Sequence, residues 1–231
     1  MEGISLSIII PARGGSKGIR FKNVAEVNGK PLLWYTIEAA KKICAPERIF
    51  VNTDSGLISS YAKEQNVQVY ARAHELAGDE ASIQDVLFDQ VSNLDSQYVG
   101  YMQPTDIFRT VPQMRQAVMA VSGGFDSSFV AKKTHKKYWA EESETYFRVN
   151  SEIYESRQSA KSVLYREDTG LFLVSNRAVF ESGRRIGDNV FIIKNEDSFS
   201  DIDIHDHQDI ALAEAAIDYS KIFKKRYYAF Q

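Results

Sequence analysis

The chain of 231 residues contains a single cysteine, Cys44, so it can form no internal disulfide. It also lacks a long hydrophobic run. The apolar stretch Ile4–Pro11 is too short to span a membrane, and it has neither a cationic leader nor a small-residue cleavage site. The net charge of −3 provides no general basic field, and no basic patch interleaved with aromatic residues is present. We therefore expect a cytoplasmic protein with no membrane and no nucleic-acid partner.

Two familiar phosphate-binding motifs are also absent. The chain has neither the G-x-x-x-x-G-K-[ST] pattern of P-loop proteins nor the G-x-G-x-x-G pattern of dinucleotide-binding folds. Instead, a glycine-rich loop follows the first apolar segment. Gly14, Gly15 and Gly18 lack a Cβ, so backbone N–H groups can approach a ligand closely. The same loop carries a group of cations with no acid among them: Arg13, Lys17, Arg20 and Lys22. The pattern predicts a polyphosphate-binding loop; the alternative is a flexible, basic surface turn.

Strand-like apolar segments alternate with amphipathic helical segments, which predicts an α/β fold with a doubly wound, mostly parallel sheet. We expect one domain over residues 1–231. In open sheets of this kind, ligands bind outside the carboxyl ends of the strands, which is where the glycine-rich loop lies. The predicted segments are Leu6–Ile10, Pro31–Ile43, Arg48–Asn52, Leu57–Glu64, Val67–Tyr70, Ile83–Leu94, Tyr98–Met102, Val111–Val121, Gly170–Val174, Val190–Ile193 and a final helix over Asp206–Ser220.

The alternation breaks between residues 132 and 166, where aromatic residues are scattered through a polar segment without a helical period. This composition predicts an inserted β-ribbon or arm. Exposed aromatic surface needs a cover, and a second copy of the chain would supply one, giving a homodimer. The alternative is that the arm packs on its own domain.

A polar loop, residues 103–109, follows the strand Tyr98–Met102 and should lie at the same sheet edge as the glycine-rich loop. Gln103 and Thr105 can hydrogen-bond a neutral polar ligand in a fixed direction, which suits sugar hydroxyls or a base edge. The alternative is a turn built by Asp106.

An acidic segment near the C-terminus alternates in polarity, which would place Asp201, Asp203 and His205 on one face. Carboxylates beside a phosphate cleft are typical Mg²⁺ ligands, and we select Asp203 first. Asp206 and Asp209 have a structural explanation at the start of the last helix. A His-x-His pair alone is weak evidence for zinc.

A second basic cluster lies in and just after the arm, and it includes Arg157 and Arg166. Arginine can bind a carboxylate through two parallel hydrogen bonds, so an acidic sugar is a suitable ligand; a solvated face is the alternative.

Together these segments resemble the acylneuraminate cytidylyltransferases, which make CMP-sialic acid and related CMP-nonulosonates. The strongest element is the run from Ile10 to Ile19 with Lys22 and Asn23, which is similar to that family's nucleotide-binding signature. The resemblance implies a Rossmann-like nucleotidyltransferase fold with an inserted dimerisation arm. It also implies that CTP is bound by Ala12, Arg13, Gly14, Gly15, Ser16, Lys17, Asn23, Arg72 and Ser82.

The same resemblance implies an acid-sugar site formed by Gln103, Thr105, Asp106, Arg157 and Arg166. Here Asp106-Ile107-Phe108 stands where the family has Ser-Pro-Leu, which places an extra carboxylate at the sugar edge. Catalytic roles are implied for Arg13, Lys17 and Asp203. Asp203 corresponds to the first metal ligand, while the second is open between Asp201 and His205.

The implied reaction joins CTP to a 2-keto-3-deoxy acid sugar, giving CMP-sugar and pyrophosphate with Mg²⁺. Positioning and charge neutralisation are the main demands of such a transfer. No general base is assigned. Two other functions stay open: a nucleotide-binding regulatory module without catalysis, and a nucleotidyltransferase that uses a sugar 1-phosphate.

Overall fold

The computed structural model describes residues 3–16, 18–149 and 163–222. Within these ranges the chain forms an eight-stranded sheet, two small two-stranded sheets and six α-helices. The strands are β1 (Leu6–Pro11), β2 (Glu26–Val27), β3 (Lys30–Pro31), β4 (Ile49–Thr53), β5 (Gln68–Ala71), β6 (Tyr98–Tyr101), β7 (Ser127–Thr134), β8 (Trp139–Glu142), β9 (Thr145–Arg148), β10 (Leu164–Glu167), β11 (Leu173–Asn176) and β12 (Val190–Asn195). The helices are α1 (Leu32–Lys41), α2 (Gly56–Glu64), α3 (Ile83–Val91), α4 (Val111–Ser122), α5 (Arg177–Glu181) and α6 (His207–Ile222).

The main sheet is mostly parallel, as expected. Its order is β10-β7-β11-β6-β1-β4-β5, with β12 beside β7. β1 pairs in parallel with β4 and β6, and β4 with β5, while β10 and β11 run antiparallel to their neighbours. The carboxyl ends of β1, β4, β5 and β6 therefore meet at one edge.

Both faces of β1 are buried, which explains its apolar run Ile8–Ile10. Ile8 and Ile10 pack with one core cluster that includes residues of α1, α2 and α4. Ile9 packs on the opposite face with residues of α3 and α5. Helices therefore cover both faces of the sheet, and the doubly wound prediction is confirmed. Among the helices of the described residues, none combines the length and hydropathy of a membrane-spanning segment.

The sequence analysis missed β7, which lies between β11 and β12 in the sheet. Its sequence, SSFVAKKT, has only a short apolar run, yet Ser127 and Ser128 are fully buried. The Ser127 hydroxyl hydrogen-bonds that of Ser175 at 2.8 Å, and Ser128 donates to the carbonyl of Phe191 at 2.7 Å. Hydrogen bonding between strands thus allows polar side chains in a buried strand.

The predicted arm, residues 132–166, begins and ends inside the main sheet. Lys132–Thr134 complete β7, and β10 pairs with that same part of β7. The described part between them forms a separate hairpin of β8 and β9. After β10, residues 169–171 form a turn that carries Gly170. The residues at its two ends, Asp168 and Phe172, still hydrogen-bond to Val130 of β7.

Candidate active site

A cavity of about 710 Å³ lies at the carboxyl ends of the parallel strands. The glycine-rich loop and the polar loop after β6 both line it, so the two loops face one cleft as the sequence analysis expected. A separate apolar cluster underlies it, joining Ile19, Ile107 and Ile204 from the three loops that surround the cleft. The lining residues used below are Arg13, Ser16, Gly18, Lys22, Asn23, Arg72, Asp79, Gln103, Thr105 and His205.

The glycine-rich loop is held from several sides. The Gly14 N–H donates to Asp54 Oδ1 at 2.8 Å, so this amide points at a carboxylate in the structure. The Asn23 amide donates to the Arg13 carbonyl at 2.9 Å. Ala12 is buried, and its N–H donates to the carbonyl of Asn52. These bonds fix the path of the loop before any ligand binds.

The loop also contacts the C-terminal acidic segment. Lys22 Nζ donates to the Ile204 carbonyl at 2.9 Å. Burial lowers the pKa of Lys22, the negative charge of Asp203 opposes this change, and Arg13 reinforces it. At Gly18 the two backbones approach so closely that a Cβ would lie 2.4 Å from the His205 carbonyl oxygen. The basic loop and the acidic segment therefore form one wall of the cleft.

We predict that Gly18→Ala destabilises the fold by about 1–3 kcal/mol, because the added Cβ forces backbone apart. Gly15→Ala is the matched control, since its Cβ would meet nothing within 4 Å. We expect the control to change the free energy of unfolding by less than about 1 kcal/mol. Urea denaturation of both variants measures the difference. Equal stabilities would contradict the close approach at Gly18.

Arg13 extends across the cleft. Its guanidinium forms an ion pair with Asp79 at 2.7 Å and donates to the Gly78 carbonyl at 3.2 Å. The Arg13 side chain keeps 33% of its surface exposed, so a ligand in the cleft can reach it. Ser16 also lines the cavity. A Cβ added to Gly15 would have no heavy atom within 4 Å. Lys17, which was predicted to act with Arg13, lies outside the described residues.

The opposite wall is formed by Arg72, which is buried and follows β5. Its Nε donates to Asn52 Oδ1 at 2.7 Å and its Nη2 to the Asn52 carbonyl at 3.0 Å. The Asn52 amide in turn donates to Gln90 Oε1 at 2.9 Å. Ser82 serves as the N-cap of α3 through a reciprocal pair with Asp85. Its neighbours Ala81 and Ile83 line the cavity, while the Ser82 hydroxyl is engaged in the cap.

The polar loop after β6 forms the third side. Gln103 and Thr105 line the cavity, and the Gln103 amide donates to the hydroxyl of Tyr101. Asp106, in the same loop, packs against Gly170. A Cβ added to Gly170 would lie 2.1 Å from Asp106 Oδ2. Burial and the nearby charge of Asp203 raise the pKa of Asp106 to about 7, although Arg109 opposes them. Asp106 therefore supports this loop from beneath the cleft.

We predict that Asp106→Asn stabilises the protein more at high pH than at low pH. The carboxyl has an ordinary pKa of 3.8 when unfolded and about 7 when folded. Between these values the folded state holds a proton that the unfolded state has released, so wild-type stability falls as the pH rises. Asparagine does not titrate. The Tm of the variant minus that of wild type should increase from about pH 5 to about pH 8; a constant difference would contradict the shift.

Asp203 and His205 lie side by side, with His205 Nε2 2.9 Å from Asp203 Oδ2. Ile202 and Ile204 are buried, so the predicted alternation of faces holds for these residues although they form no strand. Asp203 Oδ1 is buried and has no hydrogen-bond partner among the described residues. Asp203 is not among the residues that line the cavity, but its neighbour His205 is. A buried carboxylate oxygen next to this wall fits Mg²⁺, which takes one or two protein carboxylates and keeps substrate phosphates and water as its other ligands.

Asp201 does not fit the prediction of a second metal ligand. Its Oδ2 pairs with Lys132 at 2.6 Å and its Oδ1 with Arg166 at 2.7 Å, so both oxygens are neutralised. These three residues line a separate cavity of about 80 Å³. Within the described ranges, no three His, Cys, Asp or Glu side chains form a metal-binding group.

Arg166 is likewise not brought to the cleft of its own chain. Besides Asp201 it binds Asp168 at 2.7 Å, and these hydrogen bonds raise its pKa. Arg157 lies outside the described residues. At the start of α6, Asp206 accepts hydrogen bonds from the N–H groups of Gln208 and Asp209, so the cap explanation for Asp206 is confirmed.

Asp79 lines the cleft and was missed by the sequence analysis. Two other lining residues were named there without a committed binding role: Lys22 as a cation of the basic loop, and His205 as an alternative second metal ligand. The position of Lys22 in the basic loop was a usable signal. Asp79 follows Gly78 in a loop before α3, and nothing in that local sequence indicates that its carboxylate faces Arg13.

The doubly wound sheet, with its cleft at the carboxyl ends of the parallel strands, defines the class as a ligand-binding α/β fold. The chain belongs to the cytidylyltransferase family, whose model matches residues 7–227. It is 40% identical over 115 residues to the N-acylneuraminate cytidylyltransferase of Escherichia coli O18:K1:H7, a match of 48% of this chain and 26% of that protein. The CMP-N,N'-diacetyllegionaminic acid synthase of Legionella pneumophila is 34% identical over 116 residues, covering 48% of this chain and 50% of that one. The aligned segment thus spans about a quarter to a half of these relatives.

Solved structures share the fold at low sequence identity. CMP:2-keto-3-deoxy-manno-octonic acid synthetase, complexed with CTP, matches with a TM-score of 0.70 and 12% identity over 93% of this chain and 99% of that one. The 4-diphosphocytidyl-2C-methyl-D-erythritol synthase of Anaerococcus prevotii matches with a TM-score of 0.68 and 17% identity over 94% and 97% of the two chains.

Proposed function

We propose that the protein transfers CMP from CTP to the anomeric hydroxyl of a 2-keto-3-deoxy acid sugar, a sialic acid or related nonulosonate. One observation carries this proposal: a basic glycine-rich loop and a polar acceptor loop face one cavity in a chain of the cytidylyltransferase family. Two relatives, an N-acylneuraminate cytidylyltransferase and a CMP-N,N'-diacetyllegionaminic acid synthase, favour this acceptor class. A CTP-consuming reaction also fits the cytoplasm expected from the sequence.

On the nucleotide side, Arg13 and Lys17 neutralise the triphosphate, and Asn23 holds the loop in position. Arg72, Ser16 and the segment around Ser82 enclose the rest of the nucleotide. The support is that Arg13, Ser16, Asn23 and Arg72 share one cavity. Positioned cations contribute mainly by stabilising charge that develops on the leaving phosphates.

On the acceptor side, Gln103 and Thr105 orient the sugar so that its anomeric oxygen attacks the α-phosphorus. The new bond from the anomeric oxygen to the α-phosphorus forms as the bond from the α-phosphorus to the α,β-bridging oxygen breaks. Pyrophosphate leaves with that oxygen, and the hydroxyl proton passes to solvent water. Asp106 supports the loop from behind, beside Gly170. Arg157 and Arg166 remain candidates to hold the acid's carboxylate, and Arg166 would have to leave Asp168 and Asp201 to do so.

Asp203 would hold Mg²⁺, with the substrate phosphates and water completing its ligands. The bound ion would neutralise phosphate charge and orient the reacting groups. The buried Asp203 Oδ1, which has no hydrogen-bond partner in the described part of the chain, supports this assignment. His205 Nε2 lies 2.9 Å from the other oxygen, Asp203 Oδ2, and this contact would orient the carboxylate.

We also propose that the protein is a homodimer formed through the arm. Aromatic side chains on the β8–β9 hairpin are exposed, including Trp139 at 52% and Tyr146 at 62%. Apolar area of this kind is usually covered by another protein surface. Light scattering on the purified protein measures the mass directly.

The deciding experiment measures pyrophosphate release with CTP, Mg²⁺ and a panel of nonulosonic acids. Product formation with an acid sugar supports the proposal. CTP-induced stabilisation without turnover would favour the regulatory module. A preference for UTP, GTP or ATP in thermal shifts, with turnover of a sugar 1-phosphate, would favour the other nucleotidyltransferase reading.

A further inference from the structure

We propose that Arg109 is the positioning residue of the acceptor side. Its buried guanidinium fixes the backbone from which Gln103 and Thr105 reach the acid sugar. The inference rests on the proposed function and deepens it. Arg109 acts through the loop rather than by touching a substrate, since it is only 1% exposed.

The guanidinium joins three separate segments. Nη1 donates to Thr36 Oγ1 of α1 at 2.7 Å. Nη2 donates to the Gln103 carbonyl at 2.7 Å and to the Gly170 carbonyl at 3.2 Å. The Thr36 hydroxyl lies 3.3 Å from the same Gln103 carbonyl and donates to it. The Gln103 N–H also donates to the Gly170 carbonyl, so both backbone groups of Gln103 are fixed.

Packing alone does not require a cation at this position. Burial lowers the pKa of Arg109 to about 10, and the negative charge of Asp106 partly offsets the effect. A buried charge is costly, and an apolar side chain of similar size often serves stability as well or better. Arg109 Nε has no partner in the described part of the chain, which adds to the cost. A rigid planar fork that donates to several carbonyls in fixed directions is what arginine offers and lysine does not.

The nucleotide side has its own supports. Arg72 is held by Asn52, and the backbone of Arg13 by Asn23. Arg109 contributes to none of those bonds. Loss of its hydrogen bonds should therefore displace the acceptor loop and leave the CTP pocket intact, a selectivity that general destabilisation would not produce.

The test compares Arg109→Lys, Arg109→Met and Thr36→Val with wild type, and uses Thr36→Ser as the matched control because it keeps the hydroxyl. We expect Arg109→Lys and Arg109→Met to raise the KM for the acid sugar at least about tenfold. CTP affinity, measured by calorimetry, should change by less than about threefold. Thr36→Val should shift the sugar KM in the same direction by a smaller factor, and Thr36→Ser should restore it.

Equal changes in CTP affinity and sugar KM, or no change in a folded variant, would overturn the proposal. If the Arg109 variants do not fold, the Thr36→Val and Thr36→Ser pair decides by the same criterion. Failure of wild type to form any CMP-sugar would be failure of the proposed function. In that case hydrogen exchange tests whether Arg109 and Thr36 hold the acceptor loop. Faster exchange of residues 103–106 and 169–171 in Thr36→Val than in Thr36→Ser supports this role, and equal exchange overturns it.

Discussion

Arg13→Ala should lower kcat/KM for CTP at least about tenfold, or about 1.4 kcal/mol of transition-state stabilisation. The Arg13 guanidinium reaches into the cleft, where its partners are the Asp79 carboxylate and the Gly78 carbonyl. A triphosphate offers more negative charge than one carboxylate, so we expect the arginine to exchange Asp79 for phosphate oxygens. Lys17→Ala should have an effect of similar size. Steady-state kinetics with varied CTP measures both.

A loss of activity in Arg13→Ala could come from lost phosphate contact or from the broken ion pair with Asp79, and Asp79→Asn separates these two explanations. This variant removes the ion pair while keeping the arginine, so it reports on how far the pair itself holds the loop. If phosphate contact is the cause, Asp79→Asn should lose much less activity than Arg13→Ala. Equal losses in the two variants, or unchanged turnover and affinity in Arg13→Ala, would contradict the role given to Arg13.

Asp203→Asn should lower kcat at least about a hundredfold and abolish the normal response to Mg²⁺. The amide keeps the size of the side chain but loses the charge that a hard cation requires. The buried Oδ1 atom of Asp203, unpartnered among the described residues, is the position where that charge matters. Initial rates across a magnesium titration, together with Mn²⁺ binding in the presence of CTP, measure the effect.

Asp201→Asn is the matched control for Asp203→Asn. The Asp201 carboxylate is already bound by Lys132 and Arg166, so the variant removes an equal charge nearby without touching the proposed metal ligand. We expect it to keep the magnesium response. Circular dichroism checks that both variants fold. A normal magnesium response in Asp203→Asn, or its loss in Asp201→Asn alone, would transfer the metal role to Asp201.

The sequence predicted those strands and helices whose burial is evident from a local pattern of apolar residues. β1 is apolar except for Ser7 because both of its faces are covered, and α1 begins at Leu32, one residue after the predicted start at Pro31. β7 was missed because its buried serines are paired with groups more than 45 residues away in the sequence. A local pattern cannot reveal such pairing.

In the candidate site, too, local motifs could be predicted from the sequence and contacts between distant residues could not. The glycine-rich loop and the loop after β6 could be found because each is a compact motif at a strand end. The sequence could not predict which charged side chains form ion pairs, because the partners are distant in the chain. Arg166 and Asp201 are 35 residues apart, and Lys132 and Asp201 are 69 residues apart. Only the folded chain shows that Asp201 is neutralised while Asp203 Oδ1 has no hydrogen-bond partner within residues 3–16, 18–149 and 163–222.

The contacts of Lys22 with Ile204 and of Gly18 with His205 join positions more than 180 residues apart. An amino-terminal fragment that ended before the acidic segment would keep every glycine and cation of the loop and still lose the backbone that supports them. The path of the glycine-rich loop therefore depends on backbone from a distant part of the sequence, and we expect such a fragment to lose the folded path of the loop.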